Sequence, residues 1–385
     1  MNSLKLIITN KRYFSVVWVF CSLNIMIGTW VLYIPQVKEK LQLNDGQIGF
    51  ALFCLALGLL FFIPIAPVVT KKIGLGKTTF FGICIFSIAF LGPLLANSYT
   101  LLCMALFLVG SFSGLTDIAM NTLVSEIEKN DKVNFMSSAH GFFSLGGAIG
   151  ALTGTILLNV ISIPLYHMLL MTSFVILSNL LWVKYYFNTT ESEIEKQEGK
   201  HPIKYFKPLF ILAFLAMIVM GNEGAIEHWT SIYLIEVVKV SAYHLAGLGF
   251  TIFSVTMTIG RFFGDGISAK IGSAKMIVLG CSLASFGYVF VLLGSLVSSV
   301  LGFGVIGLGL SVIIPELVRL AGKTKGISAS KGISFVSGVG FLGFLLGPII
   351  LGYISDSFHL TISFTFLLGI MLVAVATSIV KLKRK

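Results

Sequence analysis

Twelve apolar runs divide this chain, at residues 13–36, 47–69, 78–97, 100–124, 136–158, 163–187, 208–235, 245–268, 275–294, 297–319, 332–354 and 360–380. A helix needs about 20 residues to cross ~30 Å of hydrocarbon. No water is available there, so the backbone must satisfy its own hydrogen bonds, and a helix does so within one segment. Twelve such runs therefore predict an all-α polytopic membrane protein with twelve transmembrane helices. Composition agrees, with 56% hydrophobic and only 11% charged residues over 385 positions. A soluble enzyme, a nucleic-acid binder and a disordered chain are all excluded on that count. The first run contains Asn24 and Trp30 and lacks a small-residue cleavage site, so it reads as a span rather than a signal peptide.

The net charge of +11 comes from 27 basic against 16 acidic residues. All the basic residues except Lys38, Lys40 and Lys239 fall before span 1, in the last part of or after the even-numbered spans, or at the chain end. The positive-inside rule then predicts cytoplasmic termini and a cytoplasmic segment 188–206. The basic excess reports topology, so no nucleic-acid partner is expected. Cys21, Cys54, Cys84, Cys103 and Cys281 lie in apolar runs without a CxxC pair, which predicts neither a disulfide nor a metal site. No nucleophile–base pair and no phosphate-cradling loop stands out. The chain therefore reads as a non-enzyme without a cofactor and without nucleotide drive.

Residues 188–206 are the long polar stretch, and they separate six spans (1–187) from six (207–385). At one constant offset Gly49 falls on Gly247, Lys72 on Lys270, Gly74 on Gly272, Lys77 on Lys275 and Gly154 on Gly352. One further residue of shift brings Trp30 onto Trp229. The pattern predicts two six-helix repeats.

Two loops carry a resemblance. Lys72-x-Gly74-x-x-Lys77 follows span 2, and Gly260-Arg261-x-x-Gly264-Asp265 with Lys270-x-Gly272-x-x-Lys275 follows span 8. Together with the 6+6 layout they resemble the major facilitator superfamily, although Lys71 stands near the place of the acidic residue usual in the first loop. The runs from Asp117 to Asn121, Ser137 to Gly147 and Glu223 to Trp229 resemble a bacterial branch near the fucose permeases. Such relatives often carry Arg before the Ile-Pro of span 1, where this chain has Tyr33. The resemblance implies two parallel bundles around a midplane site, a bacterial inner membrane, a monomer, and a cavity drawn from spans 1, 4, 7 and 10.

Carboxylates inside the spans point to chemistry. One at mid-bilayer costs roughly 2.5–3.5 kcal/mol, so Asp117, Glu223 and Glu227 are expected to face the bundle interior. Asp117 and Asn121 share a face of span 4, and Glu223 and Glu227 share a face of span 7. Two carboxylates at that spacing repel, which favours one proton held between them. Glu223, Asp117, Glu227 and, as a relay, His140 are thus the proton-coupling candidates. Asn24, Trp30, Tyr33, Asn121, Asn222, His228 and Trp229 are the candidate solute contacts, because amides both donate and accept and rings stack. Trp and Tyr also collect at membrane interfaces, which is the plainer reading of the aromatics. Arg261 with Asp265, and Glu316 with Arg319, read as a cytoplasmic gate, and Lys72 joins them through its loop. Gly146, Gly150 and Gly154 on span 5, and Gly343 and Gly347 on span 11, are rows of small residues that permit close helix approach.

The leading expectation is a proton-coupled secondary transporter of a small polar, sugar-like solute, with lipid, protons and solute as partners. The alternatives are a proton-driven exporter of amphipathic compounds and a non-transporting sensor. Span 5 lacks the Gly-Pro common in drug antiporters of the superfamily.

Overall fold

The computed structural model describes residues 2–158, 160–161, 163–190, 206–324, 327 and 329–383. Within them lie twelve helical segments long and apolar enough to cross a membrane: Lys11–Val31, Asp45–Phe62, Leu75–Leu95, Tyr99–Asp131, Ser138–Leu157, Pro164–Tyr185, Lys207–Glu236, Tyr243–Gly264, Ser273–Leu292, Leu296–Gly322, Gly332–Ser357 and Leu360–Val380. Each coincides with one predicted span. No strand occurs among the described residues. Most of the segment 188–206 lies outside the described residues. Two compact units divide the chain, Met1–Asn44 with Phe50–Glu195, and Asp45–Gly49 with Lys196–Lys385.

Span 4 is longer than its apolar run. Ser98 caps it by accepting from the Leu101 N–H, and it continues to Asp131, where Lys132 takes a left-handed conformation at φ 52°. Hydropathy ends a span where charges begin. A helix ends only where its backbone finds another partner.

The glycine rows do what their spacing suggests. A Cβ on Gly146 would stand 2.0 Å from the Cys21 carbonyl oxygen, and one on Gly150 2.2 Å from that of Ile25. Spans 1 and 5 therefore touch backbone to backbone. In the second unit Gly343 lies against the Met217 carbonyl and Gly347 against that of Gly221, joining spans 7 and 11 in the same manner. Gly154 faces the side chains of Leu32 and His167 instead.

The repeat also appears in backbone conformation. Gly74 has φ 101° and ψ 144°, and Gly272 has φ 85° and ψ 153°. Each ends one helix and starts the next, and each donates its N–H one turn back, to Thr70 and Ser268 respectively. Those dihedrals are open to glycine and strained for any side chain.

Candidate functional site

In the second unit, span 7 places Glu223 and Glu227 one turn apart on one face. Arg261 of span 8 donates from Nη2 to Glu223 Oε1 at 3.0 Å, and both side chains are 19% exposed. Glu227 is partly buried, and no described residue forms an ion pair or hydrogen bond with it. Of the two carboxylates on this face, Arg261 bonds Glu223. The spacing along span 8 offered Asp265 as the partner of Arg261; the described partner is Glu223, and the side chain of Asp265 lies outside the described residues.

In the first unit, Asp117 has an amide for a neighbour. Asn121 Nδ2 donates to the Asp117 carbonyl at 2.8 Å and to its Oδ1 at 3.2 Å. Both side chains are partly buried, and no cation among the described residues pairs with Asp117. His140 is exposed, with its ring edge-on to Phe20 at 5.4 Å.

At the end of span 10, Arg319 Nη1 donates to Glu316 Oε1 at 2.7 Å and to Ser268 Oγ of span 8 at 3.0 Å. Glu316 is almost fully buried and Arg319 partly so. This pair ties spans 8 and 10 together. Lys72 is exposed in the last turn of the helix Ala66–Ile73.

Of the seven residues expected to touch solute, six are buried. Asn24 Nδ2 donates to the Phe143 carbonyl at 2.9 Å, and the Tyr33 hydroxyl bonds His167 Nδ1 at 2.6 Å. Asn222 Oδ1 accepts from the Tyr288 hydroxyl at 2.7 Å, and its amide donates to the Ile218 carbonyl. His228 Nδ1 bonds the Gly224 carbonyl at 2.7 Å, and Trp229 Nε1 donates to the Pro348 carbonyl at 3.2 Å. Trp30 is fully enclosed and its Nε1 meets no partner among the described residues. Tyr33, Trp30 and Trp229 are therefore interior packing residues, not a belt at the membrane surface. Asn121 alone of the seven is partly exposed.

The sequence profile of the Major Facilitator Superfamily matches residues 16–329. The chain belongs to that superfamily. A major facilitator protein is a membrane transporter of the secondary class, and the twelve spans, the two units and the absence of a strand among the described residues fit that assignment. An uncharacterized transporter of Sinorhizobium fredii is 30% identical over 366 residues, 93% of this chain and 95% of that one. An uncharacterized MFS-type transporter of Yersinia pestis is 27% identical, over 91% of each. The membrane protein MosC of Rhizobium meliloti is 28% identical over 92% of this chain and 86% of its own length. In fold, the chain is similar to the nucleoside transporter NupG, with TM-score 0.74, 13% identity, and coverage of 98% of this chain and 100% of that one. A bacterial homolog of the human lysosomal transporter Spinster, in an inward-facing and unoccupied conformation, gives TM-score 0.72 at 15% identity, over 96% of both chains.

Two polar residues of this facilitator were not singled out in the sequence. His167 of span 6 is fully buried against Tyr33, and its Nε2 has no partner among the described residues. Tyr288 of span 9 holds the amide of Asn222. Both pairs join residues far apart in the chain, so no local spacing could reveal them.

Proposed function

We infer that this chain moves a small polar solute across the membrane by alternating access, coupled to protons, with Glu223, Glu227 and Arg261 as the coupling cluster. The observation that carries the reading is the imbalance of that cluster. Arginine stays protonated, so its charge is fixed. With both carboxylates ionised the three groups sum to one negative charge; with one proton bound they sum to zero. An uncompensated carboxylate inside a bundle is costly, whereas a neutral pair-plus-acid is not. A proton taken from one side would neutralise the cluster and permit reorientation, and its release on the other side would restore the charge. Glu227, without a described partner, is the group we assign to hold that proton, and Glu223 the one that Arg261 balances. Sequence position alone favoured Glu223, which is nearer the middle of span 7.

Asn121 and Asp117 are the partly exposed polar pair of the first unit and the proposed solute contacts there. A sugar-like solute is the class suggested by the resemblance to fucose permeases, and a vicinal diol suits an adjacent amide and carboxylate.

The test is proton movement. Proteoliposomes holding an internal pH dye are presented with a panel of monosaccharides and nucleosides. At least one should acidify the lumen, and that solute should accumulate when an inward proton gradient is imposed. In Glu227→Gln the accumulation should vanish while exchange of labelled for unlabelled solute persists. Solute flux indifferent to the proton gradient in the unaltered protein would overturn the coupling.

A further inference from the structure

We propose that the first unit holds a site for the headgroup of an anionic phospholipid, in a cleft at the end of the bundle where span 1 begins. The cleft has a volume of about 380 Å³ and is lined by Arg12, Lys184, Tyr185, Asn130 and the segment Asn188 to Thr190. Its chemistry is that of a phosphodiester receptor. Arg12 uses Nη1 on Asp131 at 3.1 Å, so that pair is neutral in sum, while the rest of the guanidinium fork remains to donate. Lys184 supplies a charge that no described carboxylate balances; its ammonium stands 5.2 Å over the Tyr185 ring. The net charge of the described lining, with Asp131 counted against Arg12, is thus one positive, matching one phosphodiester. Asn188, Thr189 and Thr190 add amide and hydroxyl donors. The backbone of that wall is fixed, since the Thr189 carbonyl accepts from the Gly76 N–H at 2.9 Å.

Span 6 argues that the phosphate belongs to a lipid. Leu170, Phe174, Leu177 and Leu181 recur at helical spacing on one face, and all four are among the exposed large apolar residues, with Leu181 at 71%. That stripe leads directly to Lys184 and Tyr185. An acyl chain lying along it would deliver its headgroup to the cleft. Aromatic rings mark the boundary level: Trp182 lies 6.0 Å from Tyr185 and 5.0 Å from Phe14, and Trp18 lies 6.3 Å from Phe174. Trp and Tyr in such a cluster sit at headgroup depth. A zwitterionic headgroup brings its own ammonium and would meet Lys184 unfavourably, so the cleft selects a singly negative lipid.

The experiment uses tryptophan quenching by brominated lipid in the full-length protein. Trp18 and Trp182 border the stripe and the cleft, whereas Trp30 and Trp229 are fully buried. Dibrominated phosphatidylglycerol or dibrominated phosphatidylcholine is titrated into unbrominated phosphatidylcholine bilayers. The anionic lipid should quench at an about fivefold lower mole fraction, the gain expected from one interfacial lysine. Lys184→Ala alters an exposed side chain and should remove the preference without loss of folded protein. Equal quenching by the two lipids, or a preference that survives in Lys184→Ala, would overturn the site. A second arm measures thermal unfolding in phosphatidylcholine bilayers with inorganic phosphate against chloride at equal ionic strength. No shift is expected; a rise that depends on Lys184 would assign the cleft to free phosphate and overturn the lipid.

Discussion

Span 4 in the first unit and span 7 in the second each carry acidic chemistry at mid-helix, and the two units hold it differently. Asp117 is bonded to an amide one turn along its own helix. Glu223 is bonded to a guanidinium on the neighbouring helix, with a second carboxylate beside it. The supports around them are alike: glycines press span 1 on span 5 and span 7 on span 11, and Gly74 and Gly272 make the same joint. Backbone devices are thus shared between the repeats while charge is concentrated in one. A repeat preserves what packing needs, because a lost glycine row separates two helices along their length. A single charged side chain can change without that consequence, so the two halves are free to differ in it.

The sharpest contrast lies in coupling. Glu227→Gln should reduce proton-driven accumulation to no gradient at all, while Asp117→Asn should leave accumulation in place and change the apparent solute affinity. Uptake with an imposed proton gradient measures both; accumulation lost in Asp117→Asn and kept in Glu227→Gln would reverse the roles given to the two units.

Stability should separate them next. Arg261→Ala removes the described partner of Glu223 and leaves its carboxylate uncompensated, a change of about 3 kcal/mol. Adding Glu223→Gln to it should recover part of that loss. Asp117→Asn strands no counter-charge and should cost under about 1 kcal/mol. Thermal unfolding in one detergent ranks the set, and an Arg261→Ala protein as stable as Asp117→Asn would show that the ion pair contributes little.

The shared devices make the opposite forecast, equal effects in the two units. Gly74→Ala and Gly272→Ala each place a side chain at positive φ where no neighbour crowds it within 3.9 Å, so the loss is backbone strain alone, about 2 kcal/mol in each. Unequal losses would mean the two joints differ in more than sequence position. The smallest effects belong to the helix caps. Ser98→Ala should cost about 1 kcal/mol, and Ser295→Ala slightly more, because Ser295 and Ser298 cap reciprocally.

All twelve spans were legible in the residues, because every position of a run contributes to the cost of leaving it in water or putting it in lipid, and the sum over about 20 residues is unambiguous. The glycine rows were legible for a related reason: one-turn spacing places them on one face whatever the helix packs against. The pair of Glu316 and Arg319 was legible because its members are one turn apart. Legibility ended where a partner came from elsewhere in the chain. Local spacing along span 8 offered Asp265 for Arg261, and the side chain of Asp265 lies outside the described residues; the bond to Glu223 comes from a neighbouring helix, where no local spacing announces it. Trp30 and Trp229 read as belt or cavity aromatics, since a tryptophan in an apolar run has no sign of which way it faces. Their burial depends on neighbours: Phe90 beside Trp30, and the Pro348 carbonyl and Gly352 beside Trp229.

The sequence by itself determined that this chain spans a membrane twelve times, repeats in two halves and carries acids where the bilayer penalises them. Those properties are sums over segments or spacings within one helix. Only the tertiary structure decided that Arg261 bonds Glu223, that His167 holds Tyr33, and that Lys184 ends an exposed stripe at a polar cleft. Each of these is a meeting of side chains from different helices or of a helix with the segment beyond it. Distance in space sets such meetings, and distance along the chain carries no record of it.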